Sequence, residues 1–380
     1  MKYQIKLATP RQAPEIARLI MEAMDEDCCR NFAGPHHTLA DFHRMLTRLV
    51  AMDHSQYSYR NTLTAMQGNR IAGIITGYDG KDLRRLRQAF IEAAKTELGR
   101  DFSGMDDETQ EGEYYIDSLA VRTNCRRQGI ASALLRAFIQ KHGYNQPVGL
   151  LVDLTHPEAE RLYRLTGFIY KGDACWGGHD MRHLQYPAKC AWSLSDKLSE
   201  RYHDTEWGVP EHDDNQLFMW LIMETMSCGL SWKMMLERRE VFRKVFASFD
   251  ASQVACFGED DIKQALHTEG MIRSEHKIKG MIANARAFVR IKAEYGSFDC
   301  YIWSFTHGRS LIYPSHQSRE VTCNELSARV AKDLKKRGFC YVGSVIVYSF
   351  LQAIGVINDH KSQCHRYAEL LPACTIVEGE

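Results

Sequence analysis

Leu334-Lys335-Lys336-Arg337-Gly338-Phe339-Cys340-Tyr341-Val342-Gly343 joins two stretches of helical periodicity, Ser327–Arg337 and Ser344–Ile354. A glycine closing one helix and another opening the next reads as a tight turn between paired helices. Such a hairpin can offer the backbone N–H groups of Gly338 and Gly343, and a helix N-terminus, to a phosphate. Lys335, Lys336 and Arg337 lie just upstream. Working outward, Gly and Pro keep punctuating short helical patterns: Asn215–Cys228, Leu230–Phe246, Asp260–His267 and His276–Tyr295. β-branched runs are almost absent from Asn215 to Gly355, so this half reads as all-α.

Before Pro187 the texture differs. Lys2–Leu7 alternates as a strand, Thr9 N-caps a helix to about Met24, and the acidic Asp25–Asp27 with Gly34-Pro35 break it. A second helical pattern covers Leu39–Met52, followed by a hairpin of Tyr59–Met66 and Arg70–Tyr78 turning at Gln67-Gly68-Asn69. Lys81–Leu98 reads as a polar inserted helix and Asp101–Glu111 as a mobile loop. Strands at Glu113–Val121 and Val148–Leu154 alternate with helices at Gly129–His142 and Glu158–Thr166, and Phe168–Lys171 and Asp180–Gln185 close as strands. That order predicts an α/β sandwich with a mixed sheet. The expected boundary, Leu184–Lys189, divides the chain into domains 1–187 and 188–380.

A length of 380 residues agrees with two domains, at roughly 100–200 residues each. Hydrophobic residues at 44% and charged residues at 25% exclude a disordered or fibrous chain. Lys+Arg and Asp+Glu are both 48, with 24 basic against 23 acidic residues up to Pro187 and 24 against 25 beyond it. Neither half is a polybasic binder, so any nucleic-acid contact must come from a local patch. No apolar run reaches the 18 or so residues of a membrane span, so no membrane partner is expected. The twelve cysteines are scattered through a long chain whose start alternates polar and apolar, which predicts reduced thiols and a cytoplasmic location.

Four residues in the second half suit one metal ion. Cys190 and His203 stand near its start; His360 and Cys364, i and i+4, can face the same way near its end. Two thiolates and two imidazoles make a closed tetrahedral set of the kind that holds structural zinc. His365 and Cys374 are rival ligands, so spacing leaves the set open.

The surrounding residues narrow it. Cys190-Ala191-Trp192, Tyr202-His203-Asp204-Thr205-Glu206-Trp207-Gly208-Val209-Pro210, Glu224, Gly229-Leu230-Ser231-Trp232, the hairpin itself and Asn358-Asp359-His360-Lys361-Ser362-Gln363-Cys364 resemble the 3-methyladenine DNA glycosylase I family. The resemblance runs over about residues 188–370. It implies a zinc-containing helix-hairpin-helix glycosylase, with zinc on Cys190, His203, His360 and Cys364. Glu224 would be the pocket carboxylate, Tyr202 and Trp232 the stacking rings, and Trp192 and Trp207 pocket or core. The substrate would be alkylated double-stranded DNA, contacted through Lys335, Lys336, Gly338 and Gly343. No catalytic lysine is evident, so the expected enzyme is monofunctional. A Glu within Leu221-Ile222-Met223-Glu224-Thr225-Met226 is rarely idle in a core, whatever the family.

In the first half, Arg126-Arg127-Gln128-Gly129-Ile130-Ala131-Ser132 follows a strand and opens a helix. Successive backbone N–H groups there form a phosphate nest, with Gly129 allowing close approach and Arg126 and Arg127 adding charge. Together with Glu158-Ala159-Glu160-Arg161-Leu162-Tyr163-Arg164-Leu165-Thr166-Gly167-Phe168, this resembles the GNAT N-acetyltransferases over about residues 1–187. The resemblance implies acetyl-CoA, with its pyrophosphate on Gln128–Ala131 and its pantetheine along Leu119–Val121. Tyr163 would protonate the leaving thiolate. The amine acceptor cannot be read, and Glu113 and Asp117 are candidate bases. The leading expectation is a GNAT-like α/β domain fused to an all-α DNA glycosylase. Alternatives keep the glycosylase with a non-catalytic acetyl-CoA-binding or docking module, or make the helical half an inactive DNA-targeting module of an acetyltransferase.

Overall fold

The computed structural model describes residues 3–144 and 146–377. The chain divides into two compact units, Met1–Ala191 and Trp192–Glu380. In the first, seven strands run β1 (Gln4–Leu7), β2 (Thr62–Gln67), β3 (Arg70–Asp79), β4 (Tyr114–Val121), β5 (Val148–Asp153), β6 (Ile169–Trp176) and β7 (His179–Tyr186), in the spatial order β1-β2-β3-β4-β5-β7-β6. Neighbours are antiparallel except β4 and β5, whose parallel pairing needs a crossover helix, α5 (Ile130–His142). Helices α1 (Ala13–Met24), α2 (Glu26–Ala33), α3 (Leu39–Ala51) and α4 (Leu83–Glu97) precede α5, and α6 (Pro157–Thr166) follows it. Ile16, Leu19 and Ile20 on α1 and Phe42, Met45, Leu46 and Leu49 on α3 sit at helical spacing and are all buried in one core. Each contributes about 1.5–3 kcal/mol of apolar burial.

β4 and β5 meet only at Tyr114↔Val148 and Tyr115↔Gly149, then part. The β5-facing edge of β4 is therefore open from residue 116 to 121, while β3 still pairs with it through Val121. That opening positions the first candidate site.

Three expectations for this unit need correction. Asp25–Asp27 do not simply end a helix: Asp25 turns the chain at φ 68 and its side chain accepts from Cys28 N, starting α2. Acidic residues favour a helix N-terminus, so the cluster opens a helix as readily as it closes one. The inserted helix α4 is not polar all round, since Leu83, Leu86, Arg87, Phe90 and Ala94 are buried. The 101–111 stretch is pinned, not mobile. Tyr78 Oη donates to Glu108 at 2.6 Å, Thr109 Oγ1 donates to Glu113 at 2.7 Å, and buried Arg87 pairs with Asp107 and Glu108. Glu108 and Thr109 are buried with partners, while Asp101, Ser103, Asp106, Asp107, Gln110 and Glu111 stay exposed.

The second unit is built from α7 (Lys197–Thr205), α8 (Asp214–Met226), α9 (Trp232–Glu237), α10 (Arg239–Val245), α11 (Ala251–Ala255), α12 (Glu259–His267), α13 (Glu275–Tyr295), α14 (Phe298–Ser304), α15 (Glu325–Lys336), α16 (Ser344–Ala353) and α17 (His365–Leu370). The expected single helix over Leu230–Phe246 is two, α9 and α10, meeting at Arg238. Nor is the unit wholly helical: β8 (Ser310–Ile312) pairs in parallel with β9 (Cys374–Ile376). Three-residue strands leave almost no periodicity in the sequence. α8 buries every residue from Leu217 to Met226, as a helix apolar on all sides should, and that register carries Glu224 into the core. Among the described residues no helix is long and apolar enough to cross a membrane.

Candidate functional site

Cys190, just ahead of the turn Ala191–Ser195, comes together with His203 of α7, His360 and Cys364, all buried, their ligand atoms within 4.8 Å of one another. His203 Nε2 lies 3.2 Å from His360 Nδ1 and 3.4 Å from Cys364 Sγ, and Cys364 Sγ lies 3.6 Å from His360 Nδ1. With zinc bonds of about 2.0–2.3 Å to nitrogen and sulfur, such separations are the edges of a tetrahedron around one ion. The outer ring nitrogens are also held, His203 Nδ1 by Asp204 at 2.8 Å and His360 Nε2 by the Trp207 carbonyl at 3.1 Å. Metal-binding histidines need that second contact to fix tautomer and orientation. Of the rival ligands, Cys374 Sγ donates to the Leu370 carbonyl, and the His365 ring centre lies 6.1 Å from that of His203.

A pocket of rings lies on the next helical turns. Tyr202 of α7 is 2% exposed, with its ring 5.4 Å from Trp232 of α9 and 5.3 Å from Trp220 of α8. Trp232 Nε1 is buried without an acceptor among the described residues. Glu224 follows Trp220 by one turn of α8, so the two share a face. No hydrogen bond or ion pair to its carboxyl forms among the described residues, and burial alone pushes its pKa up to about 8. The Tyr202 phenol is pushed well above its ordinary value, first by burial and next by the Glu224 charge. This is a cluster of buried, electron-rich rings within electrostatic reach of one buried carboxyl, the arrangement expected where a ligand will supply a partner.

Trp192 and Trp207 stand elsewhere in this group. Trp207 packs on His360 at 4.5 Å, beside the Cys/His cluster, and Trp192 spans the gap, 5.0 Å from Trp207 and 6.1 Å from Tyr202. Trp192 is 39% exposed and so forms the rim. Trp220 escaped the sequence reading, although its i−4 offset from Glu224 on one helix would have pointed to it.

The hairpin between α15 and α16 is held from α13. Asn284 Nδ2 donates to the Cys340 carbonyl at 3.2 Å, and Cys340 N donates to Asn284 Oδ1 at 2.6 Å. One turn earlier Gly280 makes room for Tyr341, whose ring a Cβ would approach to 2.6 Å. Gly338 has φ 94, a conformation that suits glycine, and Gly343 N-caps α16 with no side chain closing the cap. The first N–H groups of α16 are therefore open to an anion. Lys335 and Lys336 are exposed on the last turn of α15, whereas Arg337 is held at 2.6 Å by both Glu294 and Asp333.

In the first unit, Arg126, Arg127, Gln128 and Gly129 are all exposed in the loop that enters α5 at Ile130. Arg127 has φ 62 and Gly129 φ 77, and no side chain caps the helix, so N–H groups from there through Ile130 and Ala131 are presented outward. Around Gly129 only the Tyr3 hydroxyl lies within 4 Å of where a Cβ would stand, leaving a cradle open to a diphosphate. Leu119 and Val121 lie on the open part of β4. Tyr163 of α6 packs at 5.8 Å from Phe168, and burial pushes its hydroxyl up to about 12.

The two candidate bases differ sharply. Glu113 accepts from Thr109, His183 and Gln185, while Asp117 accepts from Ser118 and Gln56 and is raised to about 6 by burial.

Comparisons with known proteins bear on both units. A model of the methyladenine glycosylase family matches residues 192–367, and one of the acetyltransferase (GNAT) family matches residues 21–168. DNA-3-methyladenine glycosylase 1 of Escherichia coli (strain K12) is 39% identical over 180 residues, 47% of this chain and 96% of the relative. DNA-3-methyladenine glycosylase of Haemophilus influenzae (strain ATCC 51907 / DSM 11121 / KW20 / Rd) is 34% identical over 177 residues, 46% of this chain and 96% of the relative. A crystal structure of a 3-methyladenine DNA glycosylase I is 40% identical, covering 47% of this chain and 98% of its own, with a TM-score of 0.45. Through its second unit the chain belongs to the methyladenine glycosylase family.

Proposed function

We propose that the second unit hydrolyses the N-glycosidic bond of 3-methyladenine in alkylated double-stranded DNA and leaves an abasic site on an unbroken strand. The first unit, in this reading, transfers an acetyl group from acetyl-CoA to an amine acceptor. The observation that carries the first part is buried Glu224, one helical turn from Trp220 and with its charge acting on Tyr202, whose ring packs against Trp220 and Trp232.

Alkylation at N3 gives the base a positive charge and makes it a good leaving group, so the protein needs no strong general acid. Its work is to take the nucleotide from the stack and hold a cation. Tyr202 and Trp232 supply stacking and cation–π attraction, about 0.5–2 kcal/mol per contact. The arriving cation favours ionised Glu224, which then accepts from the exocyclic amine. Gly338, Gly343 and the start of α16, with Lys335 and Lys336, hold phosphates, and binding weakens with salt accordingly. Cys190, His203, His360 and Cys364 would hold a zinc ion whose four positions they fill, so its contribution is to fold and not to chemistry. Trp207 serves that cluster, and Trp192 the pocket rim.

In the first unit Gln128, Gly129, Ile130 and Ala131 offer N–H groups to the pyrophosphate, with Arg126 and Arg127 beside them. Leu119 and Val121 align the pantetheine. Acetyl-CoA supplies the activated acetyl group when bound. Tyr163 would give its proton to the departing thiolate, and Asp117, raised to about 6 by burial, is favoured over Glu113 as the base.

Purified protein incubated with methylated DNA should release free 3-methyladenine. Wild type releasing none, with one zinc per chain bound by metal analysis, would overturn the reading. Loss of acetyl transfer in Tyr163→Phe, with acetyl-CoA affinity retained, tests the second activity.

A further inference from the structure

Behind the ring pocket lies a charged pair to which the reading above gives no role. Arg239, the first residue of α10, places its guanidinium carbon 4.8 Å from the centre of the Trp220 ring. Its Nη1 donates to Glu206 Oε2 at 2.6 Å, and the two side chains are only 20% and 29% exposed. Trp220 is itself buried; its ring touches Tyr202 and lies 29° from parallel to Trp232 with centres 6.4 Å apart.

We infer that Arg239, paired with Glu206, is a positioning residue of the base pocket: it fixes the plane of Trp220 and, through that ring, the planes of Tyr202 and Trp232. The inference rests on the glycosylase reading of this pocket. A fold that only had to cover Trp220 would do so with an apolar side chain, because a buried charge costs stability unless it is well paired. A guanidinium is planar, stacks on an aromatic face and is oriented by a carboxylate in its own plane. It therefore restrains both the tilt and the slide of the indole, which an aliphatic chain does not.

Charge points the same way. The base is cationic, so an unpaired cation behind the wall would oppose its binding. Glu206 cancels that charge and leaves Glu224 to set the sign of the pocket. Because Trp220 and Glu224 are i and i+4 on α8, a tilted indole also disturbs the face that carries the carboxyl.

The test compares wild type, Arg239→Met, Arg239→Lys and Glu206→Gln in the full chain. Single-turnover release of 3-methyladenine from methylated DNA is measured beside affinity for DNA carrying an abasic site, which has no base to stack. Arg239→Met should slow release roughly tenfold, the scale of one desolvated cation–π contact. Its affinity for abasic DNA should stay within about twofold. Arg239→Lys keeps the charge but loses the flat stack, and should not restore the rate. Glu206→Gln should fall between Arg239→Met and wild type.

Unchanged release in Arg239→Met, equal losses of release and abasic-DNA affinity, or full rescue by lysine would each overturn the inference. Should Arg239→Met not fold, Arg239→Lys and Glu206→Gln carry the same comparison. If wild type itself releases no base, the glycosylase reading has failed. If wild type is active and all three variants match it, this inference alone has failed.

Discussion

Glu113 of the first unit and Glu224 of the second are both buried, and they behave in opposite ways. Glu113 is 3% exposed and Glu224 5%. Glu113 accepts from Thr109 at 2.7 Å, His183 at 2.8 Å and Gln185 at 3.1 Å. Burial pushes its carboxyl up, but the hydrogen bonds from His183 and Thr109 outweigh it and hold the group below its ordinary range. Glu224 has no such donors among the described residues, and burial alone takes it to about 8. Residue type and depth are alike, so satisfaction is what separates them. The carboxyl with a full set of partners knits a fold, and the one without is held ready for a partner that arrives.

The largest effect that would sharpen this contrast is on turnover. Glu224→Gln should slow release of 3-methyladenine by on the order of 10–100-fold, the worth of about 1.5–3 kcal/mol for a hydrogen bond to a charged group. Glu113→Gln should leave release unchanged, and a matching loss there would break the contrast.

The next effect is on stability. Gly149 lies where a Cβ would overlap the Glu113 carboxylate. Gly149→Ala should therefore destabilise the first unit by about 1–3 kcal/mol in denaturant titrations, as overpacking does. Full stability in that variant would mean the carboxylate cluster tolerates displacement. Glu113→Gln should cost somewhat less, about 1–2 kcal/mol, because the amide keeps one acceptor while leaving the neighbouring donors poorly matched.

The smallest effect is on pH dependence, and its sign differs between the two groups. Glu224 has a folded pKa raised above its unfolded value of about 4.3, so its stability contribution is complete below that value and is lost as pH rises towards 8. The Tm of wild type should fall relative to Glu224→Gln as pH is raised from about 5 to 8. Glu113 is lowered, so its contribution is present above the unfolded value and disappears as pH drops through the folded one. The Tm advantage of wild type over Glu113→Gln should accordingly vanish in acid. Two curves of the same sign would contradict the assignment of either carboxyl.

Much of this was legible in the chain. The paired-helix turn at Gly338–Gly343 and the strand-loop-helix entry at Gln128–Ala131 are local signals visible as spacing, whereas spacing leaves the Cys/His donors open among rivals and only the family resemblance narrows them to four. Trp220 is readable in principle from its helical offset to Glu224. Asn284 and Gly280 were not readable. They lie on α13, far along the chain from the turn they hold, and nothing local distinguishes them from other helix residues.

The 101–111 stretch shows the same limit. Its Gly, Asp and Glu content predicts a solvated loop, and only the fold brings Tyr78, Arg87 and Glu113 to meet it. The amino-acid sequence by itself determined the periodicities, the breaks and the inventory of donors and ligands, because these depend on neighbours a few residues apart. Only the tertiary structure decided which polar groups find partners. That choice rests on contacts between residues distant in sequence, and it is what makes one buried glutamate a fastening and the other a candidate site.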